Sequence, residues 1–86
     1  MKISKSKQFE KQYRKLPTKQ REKFAERLRL YPENKNHELL HVHSLSGAYK
    51  GLWSFNVTAD VRVIFDDSYP QVLLLVAIGS HSELYS

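Results

Sequence analysis

The stretch Gly51-Leu-Trp-Ser-Phe-Asn-Val-Thr-Ala-Asp-Val-Arg-Val-Ile-Phe65 decides the fold. Read with period two, it predicts a strand reaching about Val57, a turn over Thr58-Ala59-Asp60, and a second strand from Val61. The first strand places Trp53, Phe55 and Val57 on one face and Leu52, Ser54 and Asn56 on the other. In the second, Val61, Val63 and Phe65 share a face, with Arg62 and Ile64 opposite. An arginine in an otherwise apolar strand is costly to desolvate unless an anion meets it. Asp60, Asp66 and a ligand phosphate are the candidates. Trp53, alternating with Phe55, is expected to pack under helices.

Upstream of this hairpin, Phe9, Tyr13 and Leu16 form one apolar stripe at helical spacing, with Ser4 or Ser6 as N-cap and Pro17 as the stop. A second helix follows Thr18, carries Phe24, Leu28 and Tyr31, and is expected to end before Pro32. Met1-Lys2-Ile3 reads as a short edge strand. Residues 32–48 read as loop, with one helical turn near Leu39. Downstream, Asp66 to Pro70 is a turn and Val72 to Ile78 a buried central or near-central strand, which Gly79-Ser80 breaks. The predicted order is β-α-α-β-β-β: an α+β fold with a helical hairpin on a small, twisted, mostly antiparallel sheet.

At 86 residues the chain is expected to form a single domain, 1–86, with a small core. It contains no cysteine, which excludes thiol nucleophiles, disulfides and thiolate metal sites and fits a reducing cytosol. The longest apolar run is too short for a membrane span, and the polar residues after the basic N-terminus do not read as a signal peptide. Residues 1–31 hold eleven Lys/Arg against three Glu, a net of +8, and residues 32–86 hold three against six acids, a net of −3. Such asymmetry points to a polyanion or an acidic protein as partner of the first half.

Two constellations bear on chemistry. His37-Glu38-Leu39-Leu40-His41 matches H-E-x-x-H, which binds zinc only when both imidazoles share a helix face. Asn34 and Asn36 before it and Ser44-Leu45-Ser46-Gly47 after it leave too little helix, so solvated loop histidines are the better reading. The second set is spread over the sheet: His43, Lys50, Asp60, Arg62, His81 and Tyr85. Arg62 shares a polar face with Ser54 and Asn56 if the hairpin register allows. Against this set stand a surface histidine and a structural Asp60–Arg62 ion pair.

The ordered motifs His43-Ser-Leu-Ser-Gly47, Gly51-Leu-Trp-Ser54, Asp60-Val-Arg62 and Gly79-Ser-His-Ser-Glu-Leu-Tyr85 resemble the RelE/ParE toxin superfamily, nearest its YafQ-like branch of messenger-RNA interferases. The resemblance spans nearly the whole chain. It implies a RelE-like fold, endonucleolytic cleavage of mRNA on the ribosome in the cytoplasm, no metal or cofactor, and a cognate antitoxin that silences the toxin in a hetero-oligomer. By this resemblance His81, His43, Asp60 and Arg62 are catalytic, and Asn56 and Tyr85 contact substrate; Lys50 is a candidate phosphate contact, with a solvated lysine as the alternative. Two departures stand out: a branch histidine is Asn56 here, and the tryptophan after the acid is Val61. Attack by the RNA's own 2′-OH requires a base, a cation for the phosphorane charge and an acid for the leaving oxygen. The rivals are a gyrase-poisoning ParE-like relative and a degenerate antitoxin-binding module, neither needing the histidines, and a zinc protease.

Overall fold

Two periodicities, 3.6 in the first third of the chain and two in the rest, build a helical layer against a sheet. A computed structural model describes residues 1–85. The elements are β1 (Lys2–Lys5), α1 (Lys7–Arg14), α2 (Thr18–Glu33), β2 (His43–Ser44), β3 (Trp53–Asn56), β4 (Val61–Asp66), β5 (Val72–Ser80) and α3 (His81–Tyr85), with a 3-10 turn at Gly47–Tyr49. They form one sheet of order β1-β5-β4-β3-β2, in which only β1 pairs in parallel. The expected β-α-α-β-β-β order is present, with β2 and α3 added to it.

The helix-facing side of the sheet carries Phe55, Val57, Val61, Val63, Phe65, Leu73, Leu75 and Ile78, all buried. Phe9, Phe24 and Tyr31 descend onto them from the two helices. Phe55 is the hub: its ring centroid lies 6.5 Å from Phe24, 6.4 Å from Tyr31 and 5.6 Å from Phe65. Trp53 corrects an expectation. It shares the Phe55 face but is 42% exposed, because it lies toward the edge of the sheet beside Lys35 and Asn36, just past the end of α2.

The opposite face holds a smaller core. Ile64 and Ala77 are fully buried beneath Leu84, with Leu45, Tyr49, Leu52, Val76 and Tyr85 around them. The two sides of β5 stay in phase through a bulge. Ile64 pairs with Ala77 but Phe65 with Leu75, so Val76 is the extra residue.

Ser6 is the N-cap of α1, accepting from the Phe9 N–H at 3.0 Å while its own hydroxyl donates to the Val76 carbonyl at 2.7 Å. One side chain therefore satisfies a helix end and the bulged strand. Ser6→Ala is expected to lose about 1–2 kcal/mol in urea denaturation, more than an exposed cap. Further along the same strand edge, Gln12 Oε1 accepts from the Ile78 N–H at 3.0 Å.

Two boundaries differ from expectation. α2 passes through Pro32 to Glu33, since a proline near the C-terminal end forfeits one hydrogen bond and Asn34 N–H still closes on the Leu30 carbonyl at 2.9 Å. β5 runs through Gly79-Ser80 rather than breaking, held by Arg62 opposite Gly79 and Val61 opposite Ser80.

The Tyr31 hydroxyl donates to Asp67 Oδ2 at 2.5 Å, and Lys35 Nζ reaches the same oxygen at 3.2 Å. Burial, then the Asp67 carboxylate, pushes the Tyr31 phenol well above its ordinary value of 10.0. A raised folded pKa stabilises below the unfolded value and is lost as pH rises beyond it. The melting temperature is therefore expected to fall above about pH 10, and Tyr31→Phe to flatten that fall in melts taken at rising pH. Among the described residues, no helix is long and apolar enough to cross a membrane.

Candidate active site

The face of the sheet away from α1 and α2 lines up polar side chains in two adjacent rows. Asn56, Arg62 and Gly79 face one another across β3, β4 and β5. The next row is His43, Ser54, Ile64 and Ala77. Same-face residues on one strand are about 6.6 Å apart, so the rows are neighbours. The shared polar face expected for Arg62 and Asn56 is thus present, and Ser54 belongs to the row beside it.

Arg62 is not held by a carboxylate. Among the described residues no acid lies within salt-bridge distance of it, and Asp60 and Asp66 are not its partners. Instead Nη1 donates to the Ala59 carbonyl at 2.8 Å and more weakly to that of Thr58 at 3.4 Å. The β3–β4 turn therefore holds the guanidinium through one nitrogen, and no carboxylate among the described residues compensates its charge.

The same turn anchors His81. Its backbone N–H donates to the Asp60 carbonyl at 3.0 Å, with Asp60 Oδ1 at 3.4 Å. α3 then starts with a capping box that the sequence displays as Ser80-His81-Ser82-Glu83. Ser80 N–H donates to Glu83 Oε1 at 2.8 Å, and Glu83 N–H donates to Ser80 Oγ at 3.2 Å. The Ser80 backbone N–H, then its hydroxyl, holds the Glu83 carboxyl below the usual range, so the box is closed above that value and opens as pH falls through it. The signal S-x-x-E before Leu84 was there to be read; the preceding glycine pointed to a break instead. Gly79 has its own reason. A Cβ there would lie 3.3 Å from Glu83 Oε1 and 3.5 Å from Leu84 Cδ2, so glycine lets the Glu83 carboxylate close the box without a shift of a few tenths of an ångström.

His43 reaches the group from the short β2. Its Nδ1 lies 2.9 Å from the His41 carbonyl, and a carbonyl only accepts, so Nδ1 carries the proton. Nε2 is then the lone-pair nitrogen and accepts from the buried Ser54 hydroxyl at 3.2 Å. Ser54, expected only to share the polar face of Arg62, orients an imidazole. The Tyr85 ring lies 4.7 Å from that of His81 and 5.8 Å from that of Tyr49, with its hydroxyl buried and without a partner among the described residues. It forms the wall behind His81. Lys50 is not brought into the group: it is exposed on the 45–52 loop, at the opposite end of β3 from the turn holding Arg62.

The H-E-x-x-H stretch forms no helix. His41 has φ 48°, His37 Nδ1 accepts from the Leu39 N–H at 3.1 Å, and the segment consists of turns.

Solved structures share the fold at low identity. YafQ from E. coli strain BL21(DE3) superposes with a TM-score of 0.81 at 20% identity, covering 98% of this chain and 97% of that one. A YoeB/ParE toxin from Agrobacterium tumefaciens gives 0.79 at 22%, covering 94% and 99%. YafQ in the E. coli DinJ–YafQ complex gives 0.67 at 21%, covering 98% and 97%. No curated protein is similar enough in sequence to match. The family model described as the bacterial YafQ toxin of type II toxin–antitoxin systems matches residues 1–86. With a match over its full length, the chain belongs to the YafQ family of toxins.

Proposed function

We propose that this toxin is an endoribonuclease that cuts mRNA on the translating ribosome, in the cytoplasm, and is held inactive by a cognate antitoxin in a hetero-oligomer. The observation that carries the reading is the β3–β4 turn. It holds the guanidinium of Arg62 and the backbone of His81 at once, beside the row that contains His43. This supports a site in which a cation and two imidazoles flank one phosphodiester.

In the proposed reaction the 2′-hydroxyl attacks the adjacent phosphorus and the 5′-oxygen leaves. The products are a 2′,3′-cyclic phosphate and a 5′-hydroxyl. His43 Nε2, the lone-pair nitrogen of the neutral ring while Nδ1–H is tied to the His41 carbonyl, takes the 2′ proton once the Ser54 hydroxyl turns its own hydrogen away from that lone pair. Protonated His81 delivers a proton to the leaving oxygen. Arg62 meets the equatorial oxygens with the nitrogens it does not spend on the turn. Asp60 positions His81 through its backbone, and Asn56 and Tyr85 border the strand. The exposed Lys/Arg of α1 and α2 give a basic surface for ribosomal RNA or an acidic antitoxin. Antitoxin binding stabilises the toxin by mass action. The DinJ complex of E. coli YafQ supports a partner of that kind.

Brief induction without antitoxin, followed by mapping of RNA ends, tests this. New 5′-hydroxyl ends inside reading frames are expected, and adding purified protein to translating ribosomes should reproduce them. Intact transcripts with arrested growth would overturn the enzyme and leave a toxin that acts by contact.

A further inference from the structure

We propose that the cleft between α2 and the end of β3 receives a base of the RNA strand, next to the phosphate held by Arg62. This rests on the endoribonuclease reading and adds a specificity subsite to it. The cleft has a volume of about 390 Å³ and is lined by Lys23, Arg27, Leu39, His41, Asn56 and the backbone of residues 57–59. That is within the size range of small-molecule sites. It exists because β2 begins only at His43, opposite Ser54, so beyond Ser54 the edge of β3 meets only the Leu40 carbonyl, which accepts from the Asn56 N–H at 2.7 Å.

Two of the residues that line it each carry a buried polar atom with no partner among the described residues: Arg27 Nε, a donor, and Asn56 Oδ1, an acceptor. Arg27 is 12% exposed in its side chain, and its bond to Glu26 at 3.3 Å uses Nη1 and leaves Nε free. A phosphate satisfies only the donor and leaves the amide oxygen orphaned. The edge of a nucleobase offers both a carbonyl or ring nitrogen and an N–H, so it has an acceptor for the one and a donor for the other. Leu39, 46% exposed, and the His41 ring supply the face such a base packs on. Lys23 at the rim favours the attached phosphate.

Position ties the cleft to the site. Asn56 is directly opposite Arg62, and the Thr58 and Ala59 carbonyls that hold Arg62 belong to the segment forming the cleft floor. A strand gripped at Arg62 passes over Asn56 into it.

The test titrates isotope-labelled protein separately with adenosine, guanosine, cytidine and uridine 5′-monophosphates and with inorganic phosphate, followed by NMR. At least one nucleotide is expected to shift the amides of residues 39–41 and 56–59, with inorganic phosphate leaving them in place. Arg27→Met, which keeps the stem packing, should weaken that binding about tenfold. Lys23→Gln is the second variant if Arg27→Met does not fold. Equal shifts from inorganic phosphate, or none from any nucleotide, overturn the base site. In cleavage assays the variants should relax base preference beside the cut by a similar factor. Unchanged preference with retained cutting overturns the cleft and leaves the nuclease standing. A wild-type protein that leaves RNA uncut removes the nuclease reading, and the titration then decides the cleft alone.

Discussion

His81→Ala is expected to lower RNA cleavage by about 10²–10⁴-fold, the usual worth of one positioned acid or base. The folded state should survive the change. The ring is exposed and makes no side-chain hydrogen bond among the described residues, and the contacts that seat α3 come from its backbone and from Ser80 and Glu83. Thermal melts within about 0.5 kcal/mol of wild type, together with single-turnover cleavage rates, separate lost chemistry from lost structure. His81→Gln should be equally slow, since an amide cannot donate a titratable proton. Arg62→Ala should fall by about 10²–10³-fold, and Arg62→Lys should recover little, because an ammonium does not bridge the turn carbonyls and a phosphate in one plane. Full activity in a His81→Ala, Arg62→Ala double variant would sink the site.

The largest stability effect is expected at Phe55. It is fully buried at the meeting point of Phe24, Tyr31 and Phe65. Truncation to alanine loses ring contacts from both helical and strand neighbours, about 3–5 kcal/mol. A chain of 86 residues has about 4–13 kcal/mol in total by per-residue scaling. Phe55→Ala should therefore be largely unfolded, or nearly so, at 37 °C when free. Urea titration measures it directly, and a loss under about 1 kcal/mol would mean the aromatic cluster is not the centre of the fold. Recovery of structure on adding an antitoxin would follow from mass action.

How far residues spoke for themselves depended on whether their role was local. The alternation from Trp53 to Phe65 gave the hairpin and its turn, and the stripes Phe9-Tyr13 and Phe24-Tyr31 gave the helices, because periodicity is a local record of which side is buried. Pro32 was misread since its cost depends on distance from the helix end, and α2 had almost finished. Trp53 was misread because alternation gives its face but not how far the helical layer extends over that face. In the site, proximity on the polar face was legible as a condition on register, and the register met it at Asn56 and Arg62. What no motif announced was who holds whom. The Arg62 partner is a pair of backbone carbonyls, and Ser54 under His43 comes from pairing across a two-residue strand that propensity does not mark.

The surplus residue at Val76 has a consequence for how this protein can vary. It is the point where the strand changes phase, so the segments on either side obey opposite alternation rules. Deleting it would join Leu75 to Ala77 and leave Phe65 opposite Leu75, Ile64 opposite Ala77 and Val63 opposite Ile78, so the strand would become regular with every face kept. What would go is the local kink and the carbonyl to which the Ser6 hydroxyl donates. The surplus residue therefore sets the bend of β5 and the seat of α1, not which side its neighbours face.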